Sequence, residues 1–227
     1  LLTTALACEG GDVSATAHPE IGALIEVEWT QRRDAVGWVE VTFGDGEAVA
    51  TPAVDRPAGA AHAIVAGVPY GEDATVTVWL DPDDPRVHGE AEVVTAALPD
   101  PAPPALELLG HDPARVDGET PYLLVSLLAG MVGSWTGIVD RQGRWVWLRA
   151  TPHSAVTLQA QPSFDGTSLL IDHSTFWSLF DGGEASRVLR YTLDGTKLAA
   201  YDTPWLHHPF TEGPDGSILW GAHEGEN

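Results

Sequence analysis

The chain has 227 residues, 33 acidic against 11 basic side chains, and a formal net charge of −22. Such a chain lacks the clustered lysine and arginine that a nucleic-acid or polybasic membrane surface requires, so both kinds of partner are excluded. Apolar residues make up 44% and include nine tryptophans, which excludes an intrinsically disordered protein.

The N-terminal residues resemble the end of a secretory signal. A short apolar run leads into Leu-Ala-Cys at Cys8, which resembles the lipobox of bacterial lipoproteins. We therefore expect residues 1–11 to be a signal remnant and tether, with Cys8 lipidated and the protein exported to the periplasm or cell surface. The alternative is an unmodified thiol in an ordinary N-terminus. Because Cys8 is the only cysteine, we expect neither an internal disulfide nor a cysteine-built metal site.

Strand patterns recur along the whole chain. Apolar and polar residues alternate at 25–29, 38–43 and 74–79, and each run is bounded by Gly, Pro or Asp. No stretch shows the apolar period of an amphipathic helix. The sequence therefore predicts an all-β protein. We expect residues 12–98 to form a β-sandwich and the proline-rich residues 99–105 to form a stiff linker.

The first block resembles a fibronectin type III domain. Trp29 stands where the core tryptophan of the second strand is expected, and residues 37–43 correspond to the third strand. Residues 74–80 correspond to the sixth strand, and residues 92–96 to the last. The resemblance implies an immunoglobulin-like sandwich that serves as a spacer or docking module.

Residues 106–227 contain an internal repeat of about 50 residues. Gly143 and Gly195 are 52 residues apart, and Gly166 and Gly216 are 50 residues apart. Two glycine-containing hairpin turns in each repeat predict four strands, which is typical of a β-propeller blade. Because a propeller closes with four to eight blades, we expect about two blades here and a chain that is a fragment of a longer protein.

The adjacent residues His207 and His208 are the candidate binding site. They begin a predicted strand over residues 208–212, which would be the innermost strand of a blade. Imidazoles there can bind an anion, take up a proton or bind a metal, whereas a structural role at the strand end is the alternative. Because neighbouring residues of a strand point to opposite faces, we expect only one of them to face the channel. Trp205 is a candidate aromatic wall for a phenol.

The sandwich, the linker and the blades are similar in order to the bacterial arylsulfotransferase family. The His207–His208 strand and the Pro-Asp-Gly turn at residues 214–216 carry this resemblance. It implies an exported enzyme that moves a sulfuryl group from a phenolic sulfate to a phenol through a histidine intermediate, without a cofactor or metal. It also implies that both histidines contact the sulfate.

The same resemblance places the nucleophilic histidine in a later blade, beyond Asn227. We therefore expect this chain to be inactive alone. The alternative function is a non-enzymatic cell-surface propeller that binds a glycan or a protein. The strongly acidic composition fits either function, because it favours solubility and disfavours anionic partners at long range.

Overall fold

The computed structural model describes residues 12–107, 109–110, 121–129, 133–175 and 183–222. Every helix or strand assigned in these residues is a β-strand, and all the sheets are antiparallel, which confirms the all-β prediction. The chain divides into two compact units, Leu1–Ala97 and Leu98–Asn227. The described residues contain no helix that could cross a membrane. The predicted lipidation site, Cys8, lies outside the described residues.

Within residues 12–97, the described part of the first unit, eight strands form two sheets. The smaller sheet has the order β1-β2-β6, in which the strands are β1 (Val13–Ala17), β2 (Ile25–Gln31) and β6 (Gly59–Val65). The larger sheet has the order β4-β3-β7-β8, with β5 also paired to β3. Its strands are β3 (Ala35–Phe43), β4 (Glu47–Ala50), β5 (Val54–Arg56), β7 (Asp73–Leu80) and β8 (Arg86–Val94).

One apolar cluster lies between these two sheets. Alternate side chains of β2, β3 and β7 are buried in it, including Trp29, Val41 and Val76. Burial of each such side chain contributes roughly 1.5–3 kcal/mol. The intervening side chains point outward, so each of these three strands has one apolar face and one partly exposed face.

The second unit has three sheets among its described residues. The first has the order β11-β10-β9, with β9 (Tyr122–Ala129), β10 (Gly133–Asp140) and β11 (Trp145–Ala150). The second is a four-stranded meander of β12 (Ala160–Pro162), β13 (Leu169–His173), β14 (Arg187–Tyr191) and β15 (Lys197–Asp202). The third pairs β16 (Leu206–Glu212) with β17 (Ile218–Ala222). Strand β16 begins two residues earlier than the sequence predicts.

In the described part of the second unit, four tight hairpin turns connect strands. Each ends in a glycine with a positive φ, between 71° and 85°, whose N–H donates to the carbonyl three residues earlier. This region of φ is nearly free of strain only for glycine. The glycines are Gly143, Gly166, Gly195 and Gly216.

In two of these turns, hydrogen bonds hold the aspartate before the glycine in its ionised form. The hydroxyl of Ser163 and the N–H and hydroxyl of Thr167 donate to Asp165 and lower its pKa to about 2. The hydroxyl and N–H of Ser217 lower the pKa of Asp215 in the same way. The carboxylates therefore stabilise the backbone of the turns.

Candidate functional site

All four histidines in the described part of the second unit lie at the end of the sheets opposite these hairpin turns. They are His153, His173, His207 and His208. The hydroxyl of Ser174, just after β13, donates to the carbonyl of Leu206 at 2.8 Å, so the end of β13 adjoins the start of β16. We call this side of the unit the histidine end.

A bulge in β16 brings His207 and His208 together. Leu206 pairs with Ala222 and Phe210 with Trp220, so three residues of β16 lie opposite one residue of β17. The two imidazole centroids are 3.8 Å apart, with the ring planes at 60°. The regular alternation that would send the rings to opposite faces is therefore broken, and both imidazoles can contact one ligand.

Trp205 occupies a strained turn directly before the two histidines. The N–H of Leu206 donates to the carbonyl of Thr203 at 3.1 Å, and Pro204 and Trp205 are the central residues of this turn. Trp205 has a φ of 62°, where a type II turn favours glycine. Its own N–H donates to the carbonyl of Gly183 at 2.9 Å. Residues held in such conformations cluster at ligand sites, which supports a binding role for Trp205.

We expect Trp205→Gly to be about 1 kcal/mol more stable than Trp205→Ala, because only glycine adopts this φ without strain. Both variants lose the indole ring, so the comparison separates backbone strain from lost side-chain contacts. Urea unfolding of the two variants measures the difference. Equal stabilities would mean that the turn relaxes and that Trp205 is not held against a conformational preference.

A buried carboxylate lies on β13, in the preceding sheet. Asp172 is fully buried, and its Oδ1 accepts the N–H groups of Leu158 and Gln159 at 2.9 Å each. Its Oδ2 has no hydrogen-bond partner among the described residues. Burial raises the pKa of Asp172 to about 6. Sequence reasoning missed this residue, although an aspartate within the apolar run of β13 was a visible signal.

The neighbouring His173 is held in its neutral form. Burial, assisted by the charge of Arg149, lowers the pKa of His173 to about 4. The Arg149 guanidinium carbon lies 4.0 Å from the centroid of the Tyr191 ring. At neutral pH the imidazole of His173 therefore offers a hydrogen bond but no positive charge.

Strand β16 is attached to the preceding sheet by side chains. The Gln159 amide donates to the carbonyl of Phe210 at 3.1 Å and accepts the Phe210 N–H at 3.2 Å. Near its other end, Glu212 accepts the N–H of Phe164 at 2.6 Å and forms an ion pair with Arg190. These contacts hold the strand that carries His207 and His208.

The ion pair between Arg190 and Glu212 is largely buried, with side-chain exposures of 15% and 4%. Burial lowers the pKa of the Arg190 guanidinium, but hydrogen bonds with Glu212 and Tyr201 outweigh it and raise the pKa overall. Arg190 also donates to the hydroxyl of Ser168 at 3.3 Å. Sequence reasoning missed this pair, because its members are 22 residues apart on strands of different sheets.

No group of three histidine, cysteine or carboxylate side chains that could hold a metal ion occurs within the part of the chain that the structure describes. No family model, curated protein or solved structure matches this chain. The resemblance to arylsulfotransferases therefore rests on the order of the elements and on the His207–His208 strand. The functional interpretation therefore depends on the contacts between residues at the histidine end.

Proposed function

We propose that this chain belongs to an exported aryl-sulfate sulfotransferase and binds a phenolic sulfate at the histidine end. The observation that carries the proposal is the contact between the His207 and His208 rings beside Trp205, which a strained turn holds in place. The apolar run before Cys8 supports export with a lipid anchor.

The proposal includes a fibronectin type III-like sandwich in the first unit and propeller blades in the second. The two facing sheets of the first unit, β1-β2-β6 and β4-β3-β7-β8, support the former. The four-stranded meander β12-β13-β14-β15, followed by a new sheet that begins with β16, supports the latter.

The residues match the chemistry of a sulfate ester. Imidazole N–H groups of His207 and His208 donate to the sulfuryl oxygens, and the indole of Trp205 packs against the phenyl ring. Donors that are already in place stabilise the charge that spreads over these oxygens in the transition state. The two histidines and Trp205 therefore bind and orient the donor.

The transfer itself has two steps. A histidine nitrogen attacks sulfur, the bond between sulfur and the aryl oxygen breaks, and the leaving phenoxide takes a proton from a neighbouring imidazolium. The acceptor phenol then attacks sulfur, returns a proton to that imidazole, and the nitrogen–sulfur bond breaks. Division into two easier steps is the advantage of covalent catalysis. In the proposal the nucleophile is a histidine of a later blade, as the family resemblance implies.

Calorimetric titration with 4-nitrophenyl sulfate tests the binding step. We expect the chain to bind this ester, and the double variant His207→Ala/His208→Ala to bind at least tenfold more weakly. His62→Ala, which removes an exposed histidine of the first unit, is the matched control and should leave the affinity unchanged. Equal affinity of the double variant, with its circular dichroism unchanged, would contradict the proposed site.

An assay of the natural protein with 4-nitrophenyl sulfate and a phenol acceptor distinguishes the enzyme from a binding module. Acceptor-dependent release of 4-nitrophenol is expected from a sulfotransferase. Binding of the ester to well-folded protein without such release would identify a non-enzymatic module and contradict the proposed transfer.

A further inference from the structure

We propose that the outward face of the larger sheet in the first unit binds an arginine side chain of a partner protein. Trp38 on β3 and Trp79 on β7 lie directly opposite each other on this face. Their neighbours Val39 and Val78 point into the core, which places both indoles on the outer side. The two ring planes are within 9° of parallel, with centroids 5.9 Å apart.

Carboxylates occupy the rows beside the two tryptophans. Two residues along the strands from the tryptophan pair, on the same face, Glu40, Thr77 and Glu90 lie opposite one another on β3, β7 and β8. In the next row, the hydroxyl of Thr75 donates to Glu92 at 3.0 Å. Three glutamates of this face therefore follow the aromatic pair along the strands, and their charge favours a cationic partner.

The basic side chains of the same sheet have other contacts. Its five strands, all of them described, contain only two arginines. Arg56 donates to the carbonyl of His62 at 2.8 Å and lies 4.9 Å from the centroid of the Trp29 ring, which belongs to the smaller sheet. Arg86 donates to Asp84 through Nε at 3.2 Å. Both arginines of the sheet thus already have a carbonyl or a carboxylate partner.

Guanidinium chemistry fits this face better than other cations. A planar guanidinium stacks on an indole and donates two parallel hydrogen bonds to a carboxylate, whereas an ammonium is compact and strongly hydrated. A cation above a tryptophan ring is attracted by the negative face of the ring, and tryptophan attracts it more strongly than tyrosine or phenylalanine. The net charge of −22 also attracts a basic segment from a distance. The occupant is therefore an extended, arginine-bearing segment of another protein.

Calorimetric titration of the whole chain with acetyl-Gly-Arg-Gly-Arg-Gly-amide tests the proposal. The same peptide with citrulline, which keeps the shape of arginine but loses the charge, is the matched control ligand. We expect binding of the arginine peptide and at least tenfold weaker binding of the citrulline peptide. Glu40→Gln/Glu90→Gln and Trp38→Leu should each weaken binding at least fivefold.

Glu28→Gln is the control variant, because Glu28 is an exposed carboxylate on the smaller sheet. Its affinity for the arginine peptide should equal that of the unmodified chain. Thermal unfolding establishes that each variant is folded. If Trp38→Leu does not fold, the double variant Glu40→Gln/Glu90→Gln still tests the proposed site. The proposal is overturned if the arginine peptide does not bind or if the citrulline peptide binds equally well. It is also overturned if all variants, Glu28→Gln included, lose the same affinity, because attraction to net charge alone would then explain the binding.

Discussion

We expect Glu212→Ala to destabilise the second unit by about 3–5 kcal/mol, because removal of one member of a buried ion pair leaves the other charge uncompensated. The Glu212 side chain is 4% exposed, and its carboxylate also accepts the N–H of Phe164. Its loss leaves the largely buried Arg190 with the hydroxyls of Tyr201 and Ser168 but without the carboxylate that offsets its charge. The strand that carries His207 and His208 loses an attachment, so affinity for 4-nitrophenyl sulfate should fall as well.

Asp202→Ala is the matched control for this prediction. Its carboxylate forms an ion pair with Arg187 at 3.1 Å, but the side chain is 83% exposed. Exposed pairs contribute at most about 1 kcal/mol, so the control should be close to the unmodified chain. Chemical unfolding gives both free energies, and hydrogen exchange of residues 187–222 locates the effect. Similar losses in the two variants would mean that burial of the Arg190–Glu212 pair has no energetic importance.

Asp172→Asn should become more stable, relative to the unmodified chain, as the pH rises. In the folded protein the pKa of Asp172 is about 6, above its ordinary value of 3.8. The folded state therefore binds this proton more tightly, and stability is lost as the pH rises from about 4 through 6. The difference between this pKa and the ordinary value corresponds to about 3 kcal/mol at pH 7.5. Asparagine keeps an oxygen for the N–H groups of Leu158 and Gln159 and does not ionise.

Unfolding free energies at pH 4, 6 and 7.5 test this prediction. The difference between Asp172→Asn and the unmodified chain should grow across these values in favour of asparagine. Asp165→Asn is the control, because the pKa of Asp165 is lowered to about 2 and most of its linkage lies below pH 4. The difference for Asp165→Asn should change little over the same range, and in the opposite direction, because a small part of its titration in the unfolded state falls just above pH 4. A constant difference for Asp172→Asn would show that its carboxyl does not titrate with a raised pKa.

The fold could be predicted where a local rule determines it. Alternation of apolar residues identifies β2, β3 and β7, because one face of each strand is buried in a shared core. Gly166 and Gly216 identify hairpin turns, because the positive φ required there favours glycine. These patterns lie within a few residues of one another, and no knowledge of distant neighbours is needed to recognise them.

The candidate site could be predicted only in part. His207 and His208 are noticeable in the sequence, but their ring contact depends on the pairing of β16 with β17, which is set by residues near Ala222. The burial of Asp172 and Glu212 depends in turn on how neighbouring sheets pack. A charged residue in a strand is ordinarily expected to face solvent, so local patterns assign both carboxylates to the surface.

The hairpin turns also determine how the protein ages chemically. An Asp-Gly sequence is prone to cyclise, since the glycine nitrogen can attack the protonated carboxyl group, form a succinimide and leave isoaspartate. In the folded chain the N–H of Gly166 is bonded to the carbonyl of Ser163, and the Asp165 carboxyl remains ionised at any physiological pH. Both conditions oppose the attack. Covalent damage at these turns should therefore accumulate during excursions to the unfolded state, so the lifetime of the protein follows its folding stability.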